Sequence, residues 1–168
     1  MKRFIVGMLV TMAVVQAVLI VVFRKRTSGA MTALRKFNRD VVNPRMLRTA
    51  GSDRSEFAVI HHVGRSTGRS LHTPVYAVPT ANGFVVPLPF GAGVDWVRNV
   101  LAAKGTTLEI GGHAYVVIEP RIVTADSAEV LSATGASWSD RAFGVTEYLQ
   151  VDRLDSVPLD GTMTVDVA

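Results

Sequence analysis

From Phe4 to Phe23 the chain reads FIVGMLVTMAVVQAVLIVVF, without one charged side chain and with Gly7, Thr11 and Gln16 as its least apolar members. An α-helix rises about 1.5 Å per residue, so such a run matches the roughly 30 Å hydrocarbon layer of a bilayer. A buried soluble helix would keep a polar face, and this run has none. A cleaved signal peptide would need a shorter apolar stretch followed by small residues; here the run meets Arg24-Lys25-Arg26. The expectation is an uncleaved, single-pass membrane anchor.

Lys2 and Arg3 precede the run, whereas Arg24, Lys25, Arg26, Arg35, Lys36, Arg39, Arg45 and Arg48 follow it. The heavier basic cluster places the C-terminal side in the cytoplasm. That cluster supplies much of the net charge of +4, so membrane lipid accounts for it and nucleic acid is not expected as a partner. The chain has no cysteine, which excludes disulfides, thiolate metal sites and a cysteine nucleophile.

Three segments follow: residues 1–26 as anchor with basic flanks, 27–50 as amphipathic juxtamembrane helix and connector, and 51–168 as the working domain. In the second, Met31, Leu34, Phe37 and Val41 recur at helical spacing over Thr27 to Val42, and Pro44 stops or turns the helix. In the third, short β-rich runs dominate: Phe57–Val63, Leu71–Val78, Phe84–Leu88 after the Asn82-Gly83 turn, Thr106–Ile110, Ala114–Ile118 and Thr162–Val167. One helix, Asp95 to Lys104, is expected to start with Asp95 as N-cap and to end before Gly105; Ala125–Thr134 is a second. Hairpin-linked strands with few helices predict a mostly β, antiparallel sheet closed into a small barrel.

The four histidines lack metal-ligand spacing, and His61 and His62, adjacent on a strand, point to opposite faces, so no metal site is expected. Gly91-Ala92-Gly93 lacks the third glycine and the βαβ setting of a dinucleotide loop. The segment His62–Pro74 (HVGRSTGRSLHTP) is more telling. Arg65 and Arg69 bracket Ser66, Thr67 and Gly68 in a strand-to-strand turn, a set of guanidinium, hydroxyl and backbone donors suited to phosphate or carboxylate. An ordinary solvated turn has the same composition. Pro87–Asn99 (PLPFGAGVDWVRN) adds Gly91 and Gly93 for close backbone approach, and a helix carrying Trp96 and Asn99 on one face. Trp96 either packs on a planar ring or anchors its helix.

In order and spacing, Gly64-Arg65-x-x-Gly68-Arg69, Thr73-Pro74, Gly91 and Asp95-Trp96 with Asn99 resemble the deazaflavin-dependent nitroreductase family, an actinobacterial branch of the split β-barrel flavin/deazaflavin oxidoreductases. Val41-Val42-Asn43-Pro44 and the stretch from Tyr148 through Arg153 to Val157-Pro158 also look like the family. The resemblance implies a split antiparallel β-barrel that binds coenzyme F-420. Arg65 and Arg69 would grip the anionic tail with Ser66, Thr67 and Gly68 beside them; Thr73, Pro74, Gly91, Trp96 and Asn99 would border the rest. Where members often carry Lys after the first Arg, this chain has Ser66.

The activity so implied is hydride transfer to a quinone, nitro compound or activated alkene, with Tyr148 as the catalytic residue that orients the acceptor or donates a proton. The anchor favours a lipid-soluble acceptor. A homodimer is the family-based expectation. Three alternatives stay open: an FMN-dependent oxidoreductase of the same fold, a non-catalytic membrane-tethered binder of cofactor, haem or lipid, and a purely structural membrane protein.

Overall fold

The structure, a computed structural model, describes residues 2–25, 28–135 and 138–158, with side chains from residue 11 to residue 154 except 13, 19, 28, 138 and 139. The uncharged run lies in one helix, α1 (Lys2–Lys25), about 36 Å long at 1.5 Å per residue. Among the described residues no helix is long and apolar enough to cross a membrane. The side chains of residues 1–10 lie outside that set.

The last turn of α1 packs on the rest of the molecule. The Phe23 ring lies 5.4 Å from Phe90 and 5.5 Å from Phe143. Arg24 donates from Nε to the Ala142 carbonyl at 3.2 Å. Such carbonyls at the end of α6 (Trp138–Phe143) lack intrahelical donors, so a guanidinium caps them.

Beyond α1, the helix expected from Thr27 to Val42 is interrupted differently from expectation. α2 (Ser28–Phe37) widens into a π-helical turn at Asn38–Val42 and continues as α3 (Asn43–Met46), with Pro44 in the first turn of α3. The Asn43 N–H bonds to the Asn38 carbonyl, five residues back. Proline has no N–H to offer and its ring strikes the carbonyl four residues earlier in a regular helix; the wider turn relieves that contact. Pro44 therefore reshapes the helix without ending it.

Seven strands form one antiparallel sheet: β1 (Ala58–Val63), β2 (Ser70–Val75), β3 (Val78–Pro79), β4 (Gly83–Pro87), β5 (Gly105–Ile110), β6 (His113–Thr124) and β7 (Glu147–Pro158). Their order, β2-β1-β5-β6-β7-β4-β3, leaves β2 and β3 as edges and fits a split barrel. α4 (Asp95–Ala103) joins β4 to β5, while α5 (Ala128–Thr134) and α6 lie between β6 and β7.

Two strands depart from expectation. β6 does not end at Ile118: a register shift between Ile118 and Arg121, with Glu119 at φ 50°, bends it and lets it run to Thr124. The bend is clamped by Arg121, whose Nη1 and Nη2 reach the two Asp152 oxygens at 2.7 and 3.0 Å. β7, between β6 and β4, was not expected as a strand, and the strand expected at Thr162–Val167 lies outside the described residues.

β4 and β7 are buried on both faces. Phe84, Val86, Leu149 and Val151 join the core beneath α4, with Ile60, Val97, Val100, Leu108 and Val117. The alternate residues, Val85 and Tyr148, join a second core with Val130 of α5 and Val145. Period-two alternation thus divides one pair of strands between two apolar compartments. Gly83, where β4 starts, faces β7 so closely that a Cβ would collide with the Val151 carbonyl and lie 2.8 Å from Asp152 Cα.

Candidate functional site

The two informative sequence segments meet. β1 and β2 pair in a hairpin with His61 opposite His72 and Ile60 opposite Thr73, and the turn at residues 64–69 is brought against α4. The helix begins one residue earlier in role than expected: Val94 is its N-cap, and Asp95 is the first helical residue with no capping bond. Asp95 instead turns its carboxylate to Arg65, with Oδ1 2.9 Å from Nη2. At the other end Lys104, not Gly105, takes the left-handed position after the last turn.

Asn99, on α4 and only 3% exposed, organises this corner. Its Oδ1 accepts from the Arg65 backbone N–H at 3.2 Å and from Arg65 Nη1 at 2.9 Å. Those two donors orient the amide, so Nδ2 faces His62 Nδ1 at 3.0 Å and donates to it. With Nδ1 accepting, His62 carries its proton on Nε2 and donates to Thr73 Oγ1 at 3.0 Å. Burial, and then the nearby His72 and His61, pushes the His62 pKa below its ordinary value and favours this neutral form. The result is a directed chain, Arg65 to Asn99 to His62 to Thr73.

The turn uses most of its own donors. Gly64 N–H bonds to the Arg69 carbonyl, and the Thr67 and Gly68 N–H groups bond to the Gly64 carbonyl. Arg69 N–H reaches Thr67 Oγ1 at 3.4 Å. The expected row of free N–H groups is therefore reduced, for the turn satisfies itself. Ser66, Thr67, Gly68 and Arg69 are exposed, and the Arg69 guanidinium makes no hydrogen bond or ion pair among the described residues. Pro74 is buried in β2, Gly91 is buried at φ 77°, and Trp96 is half-buried against the core beneath α4.

Tyr148 does not join the corner. It is 2% exposed within the second core and donates its hydroxyl proton to Asp140 Oδ2 at 2.7 Å. Burial first, and the Asp140 carboxylate second, push its pKa well above that of an ordinary tyrosine. Asp140 lines a cleft of ≈ 760 Å³ whose other walls include Phe23, Phe57, Tyr76, Pro87, Pro89 and Phe143.

Sequence reasoning missed His62, Asp140 and a third group. His61 and His72 meet through their Nδ1 atoms at 2.9 Å, and Glu109 Oε1 lies 2.9 Å from His61 Nε2. That last approach is badly aligned, and the buried His61 Nε2 has no well-directed hydrogen-bond partner. Glu109 faces the far side of the imidazole from His72, so the three cannot surround one ion; among the described residues no cluster suits a metal. Counting strand pairs outward from the turn would have put His61 opposite His72. Nothing in the sequence linked Asp140 to Tyr148, because α6 carries no strong helical signature.

No family model matches the sequence, and no curated protein is similar to it. Among solved structures it is similar to the crystal structure of HutZ, the heme storage protein from Vibrio cholerae, at 11% identity and a TM-score of 0.48, over 68% of this chain and 92% of that one. A second solved structure matches at 11% identity and a TM-score of 0.47, over 67% of this chain and 82% of that one.

Proposed function

We propose that the protein is a membrane-anchored oxidoreductase that uses coenzyme F-420 to reduce a quinone, nitro compound or activated alkene. The observation that carries this reading is the junction of the Gly64–Arg69 turn with α4 through Asn99, since these are the two segments on which the family resemblance rests. The donor set fits an anionic tail on one side. Arg69 and the Ser66 hydroxyl are exposed, whereas Arg65 is committed to Asp95 and Asn99. Arg69 is then the principal anion contact, and Arg65 sets the shape of the turn.

When bound, the reduced deazaflavin would supply a hydride, and the proton that completes reduction of the acceptor would come from solvent. Tyr148, closed off behind Asp140, stays protonated and acts by positioning that carboxylate. α1, with its apolar run, is the anchor in this reading, its last turn fastened to the domain by Phe23 and Arg24.

The test is a titration of the full chain in detergent with oxidised F-420 and, separately, FMN, followed by a hydride-transfer assay with a quinone, a nitroarene and an enone. Binding of F-420 with turnover of one acceptor supports the reading. Retention of FMN alone moves the protein to flavin chemistry, and binding without turnover leaves a cofactor binder.

A further inference from the structure

The cleft beside Tyr148 has a composition that none of the corner's chemistry explains. Its walls are contributed by the end of α1 (Phe23), the segments flanking β1 and β2 (Glu56, Phe57, Tyr76), and α6 with its neighbours (Asp140, Phe143). Val78, Ala133, Phe143 and Val145 in its walls belong to or pack on the second core, across β4 and β7 from the core beneath α4. A volume of ≈ 760 Å³ lies within the usual range of small-molecule sites, roughly 300–1,000 Å³.

Three observations specify an occupant. Phe57 and Tyr76 stand at the mouth, 38% and 50% exposed, with rings in edge contact at 6.4 Å; together with Phe23 and Phe143 they make flat aromatic walls suited to a ring. The charged groups in the lining are Glu56 and Asp140, and the lining itself holds no lysine or arginine. The nearby Arg24 guanidinium is turned to the Ala142 and Arg141 carbonyls, so the walls disfavour an anionic ligand. Asp140 Oδ2 is taken by the Tyr148 hydroxyl; among the described residues no side chain bonds its other oxygen, which can accept from a ligand donor. The described side chains of α1 also present Met12, Val14, Val15, Val18 and Val21 at the surface, an apolar strip on the same helix as Phe23 in the cleft wall.

We propose that this cleft binds a neutral, lipid-soluble ring compound bearing a hydroxyl or similar hydrogen-bond donor, which Asp140 receives while Tyr148 holds the carboxylate in place. The cleft is distinct from the corner read as the cofactor site, since Arg65, Asn99 and Arg69 take no part in it, and it binds its ligand whether or not that reading holds.

The experiment uses the full chain in lipid nanodiscs with methyl-labelled alanine and valine, and titrates 2-naphthol and 2-naphthoate as neutral and anionic probes of one ring. The expected result is saturable movement of the Val78, Ala133 and Val145 methyl signals by naphthol. Naphthoate should bind at least about tenfold more weakly. Asp140→Asn, which removes the negative charge and keeps an acceptor for Tyr148, should narrow that discrimination; a merely structural role for Asp140 would leave it unchanged. Ala133→Phe, which fills the cleft, should abolish the shifts of the remaining two methyl groups. Absence of saturable movement in the unmodified chain, equal binding of the two probes, or unaltered discrimination in Asp140→Asn would overturn the proposal. None of these outcomes depends on F-420 binding, so the two readings fail separately.

Discussion

Asn99 accepts two hydrogen bonds from Arg65, one from its backbone and one from its guanidinium, at 3.2 and 2.9 Å. A single buried amide on α4 thereby sets both the turn between β1 and β2 and the tautomer of His62. Its replacement by alanine leaves the Arg65 N–H and His62 Nδ1 without their partner. Leaving buried polar groups unsatisfied costs about 1–3 kcal/mol, so Asn99→Ala should lower Tm by several degrees, measured by circular dichroism. A melting point equal to the unmodified protein's would mean that the corner is not held by this amide.

Arg65 and Arg69 should separate by readout. The Arg69 guanidinium makes no hydrogen bond or ion pair among the described residues, and its backbone bonds survive truncation, so Arg69→Ala should leave Tm unchanged. It should weaken F-420 binding by about tenfold or more, given about 1.5–3 kcal/mol for a hydrogen bond to a charged group. Arg65→Ala should weaken binding and also lower Tm, because it removes the Asn99 and Asp95 contacts. Identical behaviour of the two variants in both assays would refute this division of labour.

The stability of the protein should fall in mild acid through His62. Its folded pKa is lowered, mainly by burial, from an ordinary 6.5. Below pH 6.5 the unfolded chain therefore binds a proton that the folded chain refuses, and stability declines as pH falls until the folded pKa is reached. The slope for one such group is at most about 1.4 kcal/mol per pH unit. Urea unfolding between pH 7 and 5 should show a shallower decline for His62→Gln, whose amide retains hydrogen-bonding capacity. A parallel decline would assign the acid sensitivity elsewhere.

Tyr148 carries the opposite dependence. Its folded pKa is raised by burial and by Asp140, so its contribution is complete below the ordinary tyrosine value of about 10 and is lost as pH rises above it. Tyr148→Phe should cost about 1 kcal/mol at neutral pH through the lost bond to Asp140. The alkaline limb of its stability curve should also be less steep. An unchanged limb would remove Tyr148 as its source.

Gly83→Ala tests the sheet itself. The added methyl meets the backbone of β7 at Val151 and Asp152, which cannot swing aside as a side chain can. Overpacking of this kind costs about 1–3 kcal/mol or more. Gly64→Ala should be milder, since the nearest atom to its methyl is the Thr67 hydroxyl, the end of a side chain. Equal Tm values for the two variants would contradict the close approach of β4 to β7.

Residues 4–23 dictated a long apolar helix by composition alone, and alternating β-branched runs with Gly and Asn-Gly turns dictated most of the short antiparallel strands. Local chemistry suffices for these, since helix periodicity, turn preference and hairpin register act between residues close in the chain. The same holds for the turn at residues 64–69. β7 was illegible because Tyr148, Leu149, Gln150 and Val151 are all buried, and a strand covered on both faces shows no alternation. The partnership of Asn99 with Arg65, the retreat of Tyr148 into a second core, and the cleft closed by Phe23 were decided by tertiary structure. Each joins groups far apart in sequence, and which donor meets which acceptor depends on how the sheet curls and where the helices pack on it.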